Sequence, residues 1–332
     1  HISVSADVKG IFSRIDPSIN IVDWSLSGHT WVFNKQPTTT QHITADTWKD
    51  LTMERIQAFQ TEYNDFLEQF DFFVVAHPNA FILLYERYGK PIIMVNSCRY
   101  DMPYCWTNNT YMLRELNACI KRLHDKKLLT VISNNKADRE YMMKAIDTLA
   151  PTVVPSLCLY TDMKWRNEEQ TKFLVYSRNS PIPPHPLIVS LNSLGTFSWN
   201  SLMNYRAIIH FPYEISTMSI FEQISSGIPM FFPSKNYLMN MSLQSMYWQH
   251  TSIQPPSYFN GLNQSFWVEN ADFYDFKFVY FFDSVRDLIK QLETFNEPSH
   301  VLDQRMAWLH ERKQSVFEQW TNITSHIRSG SL

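Results

Sequence analysis

The chain has 332 residues, 15% of them aromatic and 18% charged, with a formal net charge of −3. So much aromatic content excludes a disordered or low-complexity chain, and the charge balance supplies no basic face for nucleic acid. The seven glycines, about 2% of the chain against an average of roughly 7%, stand far apart, so neither a G-x-G-x-x-G fingerprint nor a Walker-type phosphate loop is present.

A chain of this length predicts two domains. No run of about 18 apolar residues occurs, so no transmembrane segment is expected. The four cysteines, Cys98, Cys105, Cys119 and Cys158, form no C-x-x-C pair and read as reduced thiols. The compartment stays open at this stage, with the cytoplasm favoured.

In chain order, strands alternate with helices. Residues 2–5 and 19–24 read as the first two strands, flanking a helix over 7–15 that Asp7 caps. A long helix is expected over 45–69. Residues 72–76 form a short apolar strand, and His77-Pro78-Asn79 a loop, because Pro78 disfavours helix at its neighbour. A helix over 81–88 is stopped by Gly89 in the left-handed conformation, and residues 92–95 are the next strand. Helices over 109–125 and 138–149 and strands over 128–132 and 153–155 follow. The polar stretch 161–170 reads as a linker.

The second half repeats this grammar. Strands are expected over 173–176, 187–190 and 207–211, a loop over 212–218, a helix over 219–226 stopped by Gly227, and strands over 230–232 and 278–282. Ser284 caps a helix reaching residue 295, and a final amphipathic helix covers 300–326. Continuous apolar strands with intervening helices predict an α/β fold of two doubly wound, Rossmann-like domains facing a cleft. The expected divisions are 1–162, 163–300 and a C-terminal helix over 301–332 that can cross back to the first domain. Ligands of such folds bind outside the C-terminal ends of the strands, so the loops after strands are the places to seek chemistry.

The most informative stretch is HFPYEISTMSIFEQISSGIPMFFPSKN, from His210 to Asn236, in which seven residues separate Glu214 from Glu222. Glu214, Ser216, Ser219, Phe221, Glu222, Gly227 and Pro229 together resemble the E-x7-E element of GT-B glycosyltransferases. The resemblance covers residues 170–295 best. It implies a nucleotide-diphosphate sugar as donor, with Glu214 near the sugar hydroxyls and Glu222 accepting from the ribose hydroxyls. A carboxylate can accept two hydroxyl hydrogen bonds at once, which suits a vicinal diol. Thr217, Met218 and Ser219 would offer backbone N–H groups at a helix N-terminus to the diphosphate, with Ser216 beside them. Arg178 and Lys235 are the candidate cations, and two cations on the leaving diphosphate would replace a metal ion, so none is expected. Ser219 and Glu222 also fit a plain capping box. Trp199 is a candidate for stacking on the base, and a core tryptophan equally so.

The first domain would bind a glycan or other hydroxyl acceptor. Asn79, Arg99 and Asp101 are the candidate acceptor contacts, and Asn134 sits at a similar strand–loop junction. Trp31, Tyr104 and Trp106 could give a sugar-stacking platform. The E-x7-E resemblance implies transfer with retention, in which the leaving diphosphate helps deprotonate the incoming hydroxyl. Inversion would need a protein base, for which Asp7, His77 and Asp101 are the candidates. Two alternatives stay open: a sugar-nucleotide epimerase on the same fold, and a non-catalytic glycan-binding protein.

Overall fold

A computed structural model describes residues 2–27, 33, 40–166, 170–177, 182–243 and 264–329. The chain is α/β, and it divides into two compact units. One holds the described residues of 1–156 and 316–332, the other those of 157–254 and 261–315.

In the first unit, helix α1 (Ile2–Ile15) opens the chain. Next come α2 (Met53–Glu62), α3 (Asn64–Leu67), strand β1 (Phe73–Val75), β2 (Ile92–Asn96), α4 (Tyr104–Thr107) and α5 (Thr110–Asp125). Strand β3 (Leu129–Ser133), α6 (Lys136–Ala145) and β4 (Thr152–Val153) complete it. The four strands form one parallel sheet in the order β1-β2-β3-β4, with Ile92 opposite both Phe73 and Leu129. Every residue of β2 is buried, as a central parallel strand covered on both faces requires.

The N-terminal expectation is corrected here. Residues 2–5 are the first turn of α1 and not a strand, because Val4, Val8, Ile11 and Phe12 form one buried helical stripe. Asp7 therefore lies inside the helix, 3% exposed, and does not cap it. Residues 19–24 pair with no strand. Trp24 instead stacks on Phe66 at 5.2 Å and meets Tyr63 edge-on, so aromatic packing orders a stretch that alternation alone assigns to a sheet. The expected helix over 45–69 is broken by a 3-10 turn at Trp48–Asp50, by the cap at Thr52 and at Tyr63. The segment before Gly89 is two 3-10 turns, Asn79–Leu84 and Glu86–Tyr88, while Gly89 itself takes the left-handed φ of +61°.

The second unit contains β5 (Phe173–Val175), β6 (Ile188–Ser190), α7 (Trp199–Leu202), β7 (Ile208–Ile209), α8 (Met218–Ser226) and β8 (Met230–Pro233). Helices α9 (Lys235–Leu243) and α10 (Gln264–Glu269), strand β9 (Tyr280–Phe282), α11 (Val285–Thr294) and α12 (Ser299–Ser329) follow, α12 belonging to this unit as far as residue 315 and to the first unit from residue 316 on. Its five strands are parallel in the order β6-β5-β7-β8-β9. The chain leaves β5 to one side for β6, then returns to the other side for β7. That reversal makes the second sheet doubly wound and puts a topological switch point between β5 and β7. The first sheet runs in sequence order with no reversal, so the expectation of double winding in both halves is corrected there.

Gly227 ends α8 at φ +84°, with its N–H on the Ile224 carbonyl. A Cβ at this position would lie 2.8 Å from Met306 Sδ of α12, an exposed and flexible side chain, so it is the left-handed conformation that calls for glycine. Phe173, Phe231, Tyr280 and Phe295 interlock edge to face and stacked beneath the sheet, with ring centroids 4.9–5.8 Å apart along the closest pairs.

Candidate functional site

The switch point of the second sheet gathers the segment singled out in the sequence. Strand β5 runs out into Tyr176 and β7 into His210, and their rings lie 5.5 Å apart. His210 is stacked on Phe232 of β8, at 5.1 Å and 11° between planes, and shares a 2.6 Å hydrogen bond with Gln223 Oε1 of α8. Burial holds the imidazole neutral, its pKa pushed down to about 4. His210 and Gln223 escaped the sequence analysis. The available signal was a histidine directly after an apolar strand, thirteen residues before a glutamine on the buried side of a helix.

Past His210 the chain turns through Glu214, whose Oε1 accepts from the Ile215 N–H at 2.8 Å. Ser216, Thr217, Met218 and Ser219 are half-buried around the start of α8. Thr217 is the extended N-cap and makes no side-chain capping bond; its Oγ1 lies 3.1 Å from Ser219 Oγ. In this first turn the Ile220 N–H donates to the Thr217 carbonyl at 3.1 Å, while the N–H groups that begin any helix have no partner inside it. One turn on, Glu222 is buried at 6% exposure and its Oε1 accepts from the Tyr160 hydroxyl at 2.6 Å. The Tyr160 ring lies 5.5 Å from Trp199, the first residue of α7. Lys235 begins α9 directly after β8, exposed, with its ammonium 5.3 Å over the Tyr274 ring. Arg178 and Trp31 lie outside the described residues. Tyr160 was also missed, for it stands 62 positions before its partner.

The C-terminal ends of β1, β2 and β3 carry a second polar cluster, in the first unit. Asn79 Nδ2 donates to Asn96 Oδ1 at 3.1 Å, and Asn96 Nδ2 donates to Ser133 Oγ at 3.3 Å and to the Asp138 carbonyl at 3.0 Å. Asn135 caps α6 through the Asp138 N–H and donates to both Asn134 Oδ1 and Asp138 Oδ2. Arg99 Nη1 is 3.5 Å from Asp138 Oδ1, and Asp101 Oδ2 accepts from Tyr141 at 2.7 Å. Burial raises the Asp138 pKa against the pull of Arg99. It pushes that of Asp101 up to about 6, against the Tyr141 hydrogen bond and the Arg99 charge.

Three of the acceptor candidates, Asn79, Arg99 and Asp101, thus fall in one sealed cluster, none more than 1% exposed. A network of this kind fixes the loops above it. His77, half-buried beside Asn79, meets Trp48 edge-on at 6.1 Å, and Trp48 meets the exposed Trp106 at 6.2 Å. Tyr104 is a core residue whose hydroxyl donates to the Leu51 carbonyl at 3.0 Å. Among the described residues no group of three or more His, Cys, Asp or Glu side chains is placed to hold a metal ion, and no helix is long and apolar enough to cross a membrane.

No family model and no curated protein matches the chain. Among solved structures it is similar to one described as the crystal structure analysis of the glycotransferase of kitacinnamycin. The two share 10% identity at a TM-score of 0.42, over 88% of this chain and 84% of that one. A likeness of that size fixes neither fold nor chemistry, which rest on this chain's own residues.

Proposed function

We propose that the chain is a glycosyltransferase of the GT-B type, moving a sugar from a nucleotide-diphosphate donor to a glycan or other hydroxyl acceptor. One observation carries this reading. The order reversal between β5 and β7 coincides with the Glu214–Glu222 segment, and a switch point is where a doubly wound sheet binds its ligand. The nine-residue helix α8 starts there with N–H groups suited to a diphosphate, which offers a chain without a glycine-rich loop another way to hold a nucleotide. Ser216, Thr217, Met218 and Ser219 surround the phosphates, Lys235 and Arg178 neutralise them, and no metal ion is required. Glu222 takes the ribose hydroxyls and Glu214 the sugar. Retention follows, with the leaving diphosphate receiving the acceptor proton. The first unit binds the acceptor, with His77 at its polar edge and Asn79, Arg99 and Asp101 holding the loops in place from beneath. Asp7, inside α1, supports that unit.

Calorimetric titration with UDP, GDP, ADP and CMP tests the donor site. One of them is expected to bind, and Glu222→Gln to weaken it roughly tenfold, the value of a hydrogen bond to a charged acceptor, with little change in melting temperature. Unchanged affinity in the variant removes Glu222 from the site. Proton NMR of the product's anomeric centre then decides the stereochemistry, and an inverted linkage overturns retention.

A further inference from the structure

The segment that opens the second unit is bent in a way that side chains resist. Cys158 and Asp162 both have left-handed backbones, at φ 52° and 48°, although neither is glycine. Such conformations are uncommon outside glycine and gather at sites where the surrounding structure enforces them. Tyr160 lies between the two. Its hydroxyl donates to Glu222 Oε1 at 2.6 Å, its ring packs 5.5 Å from Trp199, and Cys158 Sγ reaches the carbonyl of Met218, the first residue of α8, at 3.9 Å. The bent segment is therefore tied to both of the first two turns of α8. Burial raises the phenol pKa far above the usual tyrosine range, so the hydroxyl keeps its proton and remains a donor.

We infer that Tyr160 is a positioning residue that fixes the Glu222 carboxylate for a ribose diol and so makes the site selective for ribonucleotides. The inference rests on the donor-site proposal. A carboxylate has about four lone-pair sites, of which the phenol takes one and a vicinal diol takes two. Without the phenol the carboxylate turns about its broad terminal torsion, and ordering it becomes part of the cost of binding. The left-handed residues on either side are what bring a side chain from the start of the unit onto the second turn of α8.

The test compares a ribonucleoside diphosphate with its 2′,3′-dideoxy analogue, on the intact chain and on Tyr160→Phe. The intact chain is expected to prefer the ribonucleotide. Tyr160→Phe is expected to lose about tenfold in affinity for it while binding the dideoxy analogue as the parent does. The double variant with Glu222→Gln is expected to lose no more than Glu222→Gln alone. Equal loss for both ligands assigns Tyr160 a merely structural role and overturns the inference, as does undiminished ribonucleotide binding. An intact chain that binds none of the nucleoside diphosphates overturns the donor-site proposal itself, and the inference with it.

Discussion

Replacing Arg305 by alanine is expected to cost about 3–5 kcal/mol, the toll of stranding a buried charge. Arg305, on the first half of α12, is fully buried and paired with Glu297, itself 9% exposed. Its guanidinium also donates to the Gly227 carbonyl at 3.1 Å and to the Phe278 carbonyl at 3.1 and 3.3 Å. Glu297 accepts in addition from the Tyr280 hydroxyl at 2.7 Å. The planar fork thus closes the C-terminal end of α8, holds Phe278 in a left-handed conformation at φ 61°, and joins both to α12. Arg305→Lys is expected to rescue little, because one ammonium cannot serve two carbonyls and a carboxylate in that geometry. Changing Arg305 and Glu297 together to apolar residues is expected to cost less than the single change, though it still leaves both carbonyls without their donor. Urea titration of the three variants checks this order, and a loss under about 1 kcal/mol for Arg305→Ala, the range of an exposed pair, refutes the clamp.

The parts of the fold that were legible are those whose stabilisation is local. The strand expected over 92–95 is β2, at Ile92–Asn96, because four consecutive apolar residues after a Gly-x-Pro stop admit few other structures. Gly227 and Ser284 do what their residue types imply, one in the left-handed C-cap and the other accepting from the Asp287 N–H. The first seventy residues were read less well. Alternation in 2–5 fits strand or helix, and only the continuation through Val8, Ile11 and Phe12 decides for helix. Trp24 is ordered by Phe66 and Tyr63, some forty positions away in the sequence. The candidate donor segment was visible because its residues are consecutive. Tyr160 and Arg305 were not, because each acts on groups that only the folded chain brings near. The sealed cluster of the first unit was half visible: loop positions after strands identify Asn79, Arg99 and Asp101, but nothing in one sequence says that Asp138 and Tyr141 will enclose them.

Acidification is expected to move the two units in opposite directions, because each buries a titratable group of the opposite kind. In the second unit His210 is neutral and its folded pKa, about 4, lies below the ordinary 6.5. The unfolded chain takes up that proton first, so stability is lost as pH falls from about 6.5 to about 4, by roughly 3 kcal/mol in all. In the first unit Asp101 has a folded pKa of about 6 against an ordinary 3.8. The stability linked to its protonation is fully present below 3.8 and is lost as pH rises through 6, again by roughly 3 kcal/mol. Asp138 adds to Asp101 in the same sense. Scanning calorimetry at pH 7, 5.5 and 4.5 is therefore expected to resolve two transitions that separate with acidity, the second unit melting earlier and the first later. Arg305→Lys, by lowering one transition, identifies the second unit. His210→Phe, which can keep the stacking on Phe232, is expected to abolish most of the acid-side loss, and Asp101→Asn, which keeps an acceptor for Tyr141, to flatten the gain. Parent-like slopes in both variants would mean that the two groups titrate as if in water, which neither sealed environment allows.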